Sequence, residues 1–265
     1  GYGWNQVTVA HVQSAHERST YAELLSHSHN LLLDLVIWNG LPIGLLIIAG
    51  IIWWLVSRAW RCRSPESWFA LLAIGCVGVH SLFEYPLDYA YFLLPVGLLI
   101  GLVEADRSPG KTFEIPRAIL WLVVAASAFF MGLVWHEYRI VEADYLLMRF
   151  ETRNIGPLKA EQTAPDIILL TQLREDLRMA RSLARRNMSA EELEWMRRVT
   201  YRYPYYSNLF RYSLSLALNH RIPEASIEFR RLYDIYGEKP YVDAKHAIQL
   251  LAETQYPELK DWELP

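Results

Sequence analysis

The stretch SHSHNLLLDLVIWNGLPIG, residues 26–44, sets two histidines and an asparagine at the head of a long apolar run. It then places Asp34, Asn39, Gly40 and Pro42 inside that run. A bilayer core needs roughly 20 apolar helical residues, so the run reads as a membrane helix with polar groups at its mouth and a breaker part-way in. Ser26 or Ser28 can serve as an N-cap, which predicts His29 and Asn30 in the first helical turn. A helix N-terminus offers unpaired amides and partial positive charge and so attracts anions. A neutral imidazole there can accept a proton, and a protonated one can hold an oxyanion. Asp34 follows Asn30 by four residues and shares its helical face; an ionisable group near the top of a membrane helix faces a polar cavity rather than lipid. Gly40 and Gly44 form a GxxxG pair that lets another helix come close, and Pro42 predicts a kink around Trp38. Taken by themselves, these residues fit an interfacial loop end as readily as a site.

Working outward, the 265-residue chain is 52 % hydrophobic with a formal net charge of -3, and its charge is very unevenly spread. Residues 1–136 carry 16 of the Asp, Glu, Lys and Arg residues and residues 137–265 carry 39. This composition predicts one membrane domain followed by one water-soluble domain. Nothing resembles a basic stripe with interleaved aromatics, so no nucleic-acid partner is expected. The two cysteines, Cys62 and Cys76, cannot build a disulfide framework and read as free thiols. The chain opens at Gly1 without an initiator Met or a signal peptide and is expected to be the C-terminal piece of a longer membrane protein.

Residues 1–28 form a polar lead-in, read as a loop with a short helix near 16–26. Four apolar stretches follow, about 30–57, 67–85, 88–103 and 117–136, predicting a polytopic bundle of about four membrane helices over residues 29–136. Arg58, Arg61 and Arg63 follow the first span, and Arg107, Lys111 and Arg117 follow the third, whereas the turn EYPLDY carries no basic residue. The positive-inside bias therefore puts both Arg-bearing loops in the cytoplasm and residues 1–28, 84–90 and 137–265 outside. Trp53, Trp54, Trp60 and Trp68 mark the inner interface, and Tyr85, Tyr89, Tyr91 and Trp135 the outer one.

Residues 137–265 read as helices only, predicting an all-α protein whose membrane bundle is followed by a small soluble α-helical domain of TPR-like hairpins. The segment APDIILLTQLREDLRMARSLARR has apolar residues at helical spacing, and Ser189 with Glu192 forms a capping-box pattern. Small residues sit at packing points between 206 and 252, although only about one and a half repeats are present, fewer than a solenoid needs. The charge-rich runs RRNMSAEELEWMRR and EFRRLYDIY read as solvated faces.

Two further groups of residues could carry chemistry. His80, Glu84 and Asp88 are spaced four apart near the outer surface and could line a cavity, although Pro86 interrupts a continuous helix. His11, His16, His27 and His29 match no metal-ligand spacing and no cysteine assists them, so no metal and no cofactor is expected.

Three stretches in order resemble a known family. His29-Asn30, nine residues, Gly40 and Gly44 is similar to the His-Asn-(x9)-Gly-x-x-x-Gly signature of the O-antigen ligase superfamily. GYGWNQ, residues 1–6, resembles the GxGWxQ element of bacterial protein O-oligosaccharyltransferases. HSLFEYPLDYAYFLLPVGLLIGL, residues 80–102, resembles the C-terminal extension of the same group. The resemblance covers residues 1 to about 105 well and the tail loosely. It implies a glycosyltransferase of the bacterial inner membrane, with the tail in the periplasm. Such an enzyme moves glycan from undecaprenyl pyrophosphate to Ser or Thr of an exported acceptor such as a pilin. A sugar acceptor, such as the lipid A core, implies instead an O-antigen ligase or polysaccharide polymerase. By resemblance His29 is the catalytic residue, with Asn30 and Asp34 supporting the lipid-linked oligosaccharide donor, while pyrophosphate-binding arginines come from preceding helices. A rival of another class is a non-catalytic membrane scaffold that docks partners through its helical tail.

Overall fold

The computed structural model describes residues 1–17, 24–107, 115–151 and 163–265, and among them every regular element is helical. The expected helix near 16–26 falls largely outside the described residues, as does Lys111. The chain forms two compact units, Gly1–His11 with Leu25–Glu114, and Val12–Leu24 with Ile115–Pro265.

In the first unit, α1 (Val7–Gln13) begins just after the GYGWNQ stretch, and the long apolar run divides into α2 (Leu31–Asn39) and α3 (Leu41–Arg61). The division corrects the expected kink at Trp38. Gly40 takes φ +81°, ending one helix and opening the next, a backbone conformation that glycine adopts without a Cβ penalty. Pro42 then sits in the first turn of α3, where its missing N–H costs nothing. Gly44 is the close-approach point, and its partner is this same chain. A Cβ there would stand 2.7 Å from Val36 Cα and 3.0 Å from Leu35 O, so α2 folds back hard against the start of α3. The GxxxG thus combines a hinge at Gly40 with the expected close approach of another helix, α2, at Gly44.

Next come α4 (Pro65–His80) and α5 (Ala90–Arg107), with a short 3-10 turn at Pro86–Asp88 between them. Ala70, Leu71 and Val103 form their shared core, with Trp54, Leu99 and Cys62 against it. At the Arg-bearing end Glu104 accepts from Arg58 Nε (2.6 Å) and Trp54 Nε1 (2.7 Å), and Asp106 accepts from the Ser64 and Ser67 hydroxyls, both at 2.8 Å. These bonds tie α5 to α3 and α4 where the chain leaves the apolar zone.

In the second unit, α6 (Arg117–Glu151) is a 35-residue helix, about 52 Å long at 1.5 Å per residue. All of residues 117–136 are exposed. With α3, it is one of two described helices long and apolar enough to cross a membrane. An apolar, unburied surface of that length is suited to lipid. α4 has 16 residues, and the 18 of α5 include Glu104, Asp106 and Arg107, so neither reaches that standard.

Beyond residue 136, α6 turns polar and packs against α7 (Thr171–Arg181) through Val141, Met148, Ile167 and Leu177. The predicted helix starting near Ala164 begins only at Thr171, because Glu137 takes the backbone amides of Ile168, Leu169 and Leu170 at 2.8, 2.8 and 2.9 Å. That carboxylate, from another helix, holds the three residues that lead into α7. Arg181 then clamps both Asp144 (2.7 Å) and Glu151 (2.9 Å). α8 (Ala190–Arg202), α9 (Tyr206–Leu218), α10 (Ile222–Tyr236) and α11 (Glu238–Thr254) pack consecutively. Ser189 and Glu192 form the expected capping box. Ala225 and Ala244 are fully buried small residues, and Leu209, Leu216, Phe229 and Leu232 fill the space between the helices. The run EFRRLYDIY is not wholly solvated. Glu228 and Arg231 are buried, 3.1 Å apart, with the Tyr201 hydroxyl on Glu228 at 2.7 Å. Arg231 reaches the Val12 carbonyl, which is why a charged side chain can lie inside.

Candidate active site

The two glycine-bearing motifs meet at opposite ends of α2. At its C-terminus, Tyr2 N donates to Ile37 O (2.9 Å) and Gly3 N to Trp38 O (3.0 Å), filling carbonyls that a helix end leaves open. A Cβ at Gly1 would lie 2.2 Å from Trp38 O, and Gly3 holds φ +99°. Trp4 packs on Trp38 with the rings tilted by 34° and their centroids 4.9 Å apart. The GxGW pattern is therefore a backbone latch on α2, set by close approach and positive φ.

At the N-terminus, Asn30, not a serine, is the cap. Its Oδ1 accepts from Leu32 N (3.0 Å) and Leu33 N (3.2 Å), while its Nδ2 donates to Leu82 O (3.1 Å). Leu31 N donates to Ser81 O at 2.7 Å. The first amides of α2 are all taken, so they cannot hold a pyrophosphate as a bare helix end would. Asn30 works instead as a bracket joining α2 to the chain after α4.

Asp34 is buried, and its Oδ1 accepts from Ser28 N at 3.1 Å. The Ser28 hydroxyl donates to Asn30 O (2.9 Å) and accepts from Asn30 N (3.3 Å). Residues 28 and 30 are thus pinned on either side of His29, which takes φ +56°. A left-handed backbone at a non-glycine residue is uncommon and costs on the order of 1 kcal/mol or more, and it persists only where neighbours enforce it. Here it turns an exposed imidazole outward, ahead of the helix rather than within its first turn. Asp34 and Asn30 position His29; neither is aimed at open space.

His29 Nδ1 lies 3.4 Å from Glu84 Oε2. Two residues earlier, His27 Nδ1 lies 3.4 Å from Asp88 Oδ2, within ion-pair range but without hydrogen-bond alignment. Tyr85 sits between them, stacked on His27 (4.6 Å, 17°) and edge-on to His29 (5.1 Å, 64°). A hydrogen bond with Tyr89 raises the Tyr85 phenol above its ordinary value, so it stays protonated. The fold brings Glu84 and Asp88 to the two histidines, but not His80. α4 ends at His80, whose ring meets Phe92 edge-on at 6.0 Å while its carbonyl accepts from Phe83 N and Glu84 N. The 3-10 turn at Pro86–Asp88 removes the common helical face that a four-residue spacing suggests.

His27 and Tyr85 escaped the sequence reading as site residues. The available signal was the pairing of His-x-His with an acidic pair four apart, which becomes legible only once the two loops are known to meet. Chemically, a carboxylate on Nδ1 fixes the imidazole tautomer so that Nε2 presents a lone pair to a substrate hydroxyl. Among the described residues no three His, Cys, Asp or Glu side chains converge as a metal-binding group.

Residues 68–250 match the family described as virulence factor membrane-bound polymerase, C-terminal. The match ends inside α11, so the tail as far as residue 250, which resembles the ligase group only loosely, lies within the matched segment. A general O-oligosaccharyltransferase of Acinetobacter baylyi is 29 % identical over 226 residues, 85 % of this chain and 39 % of that protein. A ComP-specific O-oligosaccharyltransferase of the same organism is 35 % identical over 140 residues, 52 % of this chain and 24 % of that protein. The chain thus spans less than two-fifths of either relative. No solved structure matches it. With more than half its length matched, from α4 to α11, the chain belongs to the virulence factor membrane-bound polymerase, C-terminal family.

Proposed function

We propose that the full-length protein transfers glycan from undecaprenyl pyrophosphate to Ser or Thr hydroxyls of exported proteins, pilins among them. The observation that carries this reading is an exposed His29 imidazole braced by Glu84 in a chain similar to two O-oligosaccharyltransferases. His29 Nε2 takes the acceptor hydroxyl proton as the oxygen bonds to the anomeric carbon. The bond from that carbon to the pyrophosphate oxygen breaks, and its electron pair leaves with the lipid pyrophosphate. Because the amides of α2 are occupied, the leaving charge is met by cations of the longer protein rather than by this helix end.

The same reading gives the chain a loop segment at 1–28 and about four spans across 29–136, α4 and α5 completing the set. A periplasmic α-helical, TPR-like domain at 137–265 follows, and the whole sits in the bacterial inner membrane. Ligase or polymerase activity on a sugar acceptor is the second reading, favoured by the family's description as a membrane-bound polymerase. The proton transfer at His29 is common to both.

In the full-length protein, His29→Ala is expected to abolish transfer while leaving the amount of membrane-inserted protein unchanged. Near-normal transfer by that variant would remove the reading and favour a scaffold. Glycoproteomics beside lipopolysaccharide banding, with and without the gene, separates protein from sugar acceptors.

A further inference from the structure

We infer that the aromatic row leading away from His29 is a glycan subsite, which seats the pyranose rings of the transferred oligosaccharide. This rests on the proposed transfer reaction and names where its sugars lie. From Tyr85, against both histidines, the rings continue through Tyr89 (5.9 Å, 30°) and Tyr91 (5.2 Å, 22°) to Phe92 (5.1 Å, 44°). Two stacked contacts and a final tilted one make one continuous row, and its outer members stay open: Tyr89 is 42 % and Tyr91 67 % exposed. Glu84 and Asp88 lie beside the row, with side chains 56 % and 40 % exposed.

The chemistry selects the occupant. Aromatic rings offer apolar contact to the C–H face of a sugar ring, and carboxylates are acceptor-only groups suited to hydroxyl donors. No Lys or Arg occurs between residues 64 and 106, and two carboxylates repel an anion. A lipid phosphate or the pyrophosphate is therefore a poor occupant, whereas a neutral polyol satisfies both surfaces. Continuity with His29 supplies the direction: sugars laid along the row extend from the carbon at which the acceptor attacks.

An interfacial anchor would use the same tyrosines, so the test separates the two roles. In the full-length protein in nanodiscs, saturation-transfer NMR reads contact between protein aromatic protons and the host oligosaccharide released from its lipid carrier. Tyr91→Phe keeps the ring, and Tyr91→Leu keeps an apolar anchor without one. We expect wild type, Tyr91→Phe and His29→Ala to bind alike. Tyr91→Leu and Tyr89→Leu should weaken binding about tenfold, about 1.4 kcal/mol, with KM for the lipid-linked donor rising more than kcat falls. Unchanged glycan binding in both leucine variants overturns the subsite, as does an equal loss in Tyr91→Phe. Normal transfer by His29→Ala with ring-dependent glycan binding would instead sink the catalytic reading and leave the subsite standing.

Discussion

Asn30→Ala is the substitution that most directly separates a positioning role from a substrate-binding one. The side chain makes two accepting bonds to the amides of α2 and one donating bond to Leu82 O. Loss of an asparagine cap costs about 1 kcal/mol and up to about 2, and the bond to Leu82 contributes about 1 more. The bracket is then weakened by about 2–3 kcal/mol, a shift of roughly 30- to 150-fold toward conformers in which His29 leaves its left-handed backbone. Asn30→Asp keeps the cap and adds charge that favours a helix N-terminus, but it cannot donate to Leu82. It should recover about half the loss. The assay pairs thermal unfolding of the full-length protein in nanodiscs with transfer kinetics. The expected order is wild type, then Asp, then Ala in both readouts. Unchanged melting with an equal drop in transfer for both variants would refute the bracket and put Asn30 on the substrate.

Other substitutions probe the remaining contacts. Gly44→Ala sets a methyl 2.7 Å from Val36 Cα, so backbone must move; a loss of about 1–3 kcal/mol and reduced transfer are expected, and wild-type melting would deny the close contact. Glu137→Ala strips an acceptor from three amides; hydrogen exchange at Ile168, Leu169 and Leu170 should accelerate at least tenfold, and unchanged rates would show that Glu137 does not protect them. Asp176 is buried, and desolvation pushes its carboxyl from 3.8 up to about 6, against the lowering pull of Asn208 and Arg211. A raised folded-state value stabilises the fold below the unfolded value and loses that stability as pH rises through about 6. The loss is about 3 kcal/mol above that range. Asp176→Asn should flatten the pH dependence of exchange in α7 and α9 between pH 4 and 7, and a slope equal to wild type would discount the buried carboxyl.

Much of the helical content was legible in the chain because each signal was local. The capping box at Ser189 and Glu192 needs only residues three apart, and the helix break in the first apolar run was signalled by Gly40 and Pro42. The position of that break was misjudged by two residues, because proline dominated the expectation while the positive φ of Gly40 carried the turn. The helix expected from Ala164 was cut short by a carboxylate 31 residues earlier, a contact that no local pattern encodes. The buried Glu228–Arg231 pair failed for a similar reason: exposure of a charge run depends on what packs over it.

At the candidate site, the residues were nameable in advance but their relations were not. His29, Asn30, Asp34, Glu84 and Asp88 could each be picked out by type and spacing. That Asn30 and Asp34 hold His29 rather than a ligand follows from bonds to Leu82 and Ser28. That His80 parts company with Glu84 follows from the end of α4 at His80, whose ring meets Phe92 instead. Sequence by itself determined the all-helical character and the apolar lengths, since these depend on propensity and hydrophobicity within a few residues. Only the tertiary structure decided which polar groups face one another. A hydrogen bond between residues 30 and 82, or 29 and 84, depends on how two helices and a turn converge, and a few ångströms there separate a paired group from an unpaired one.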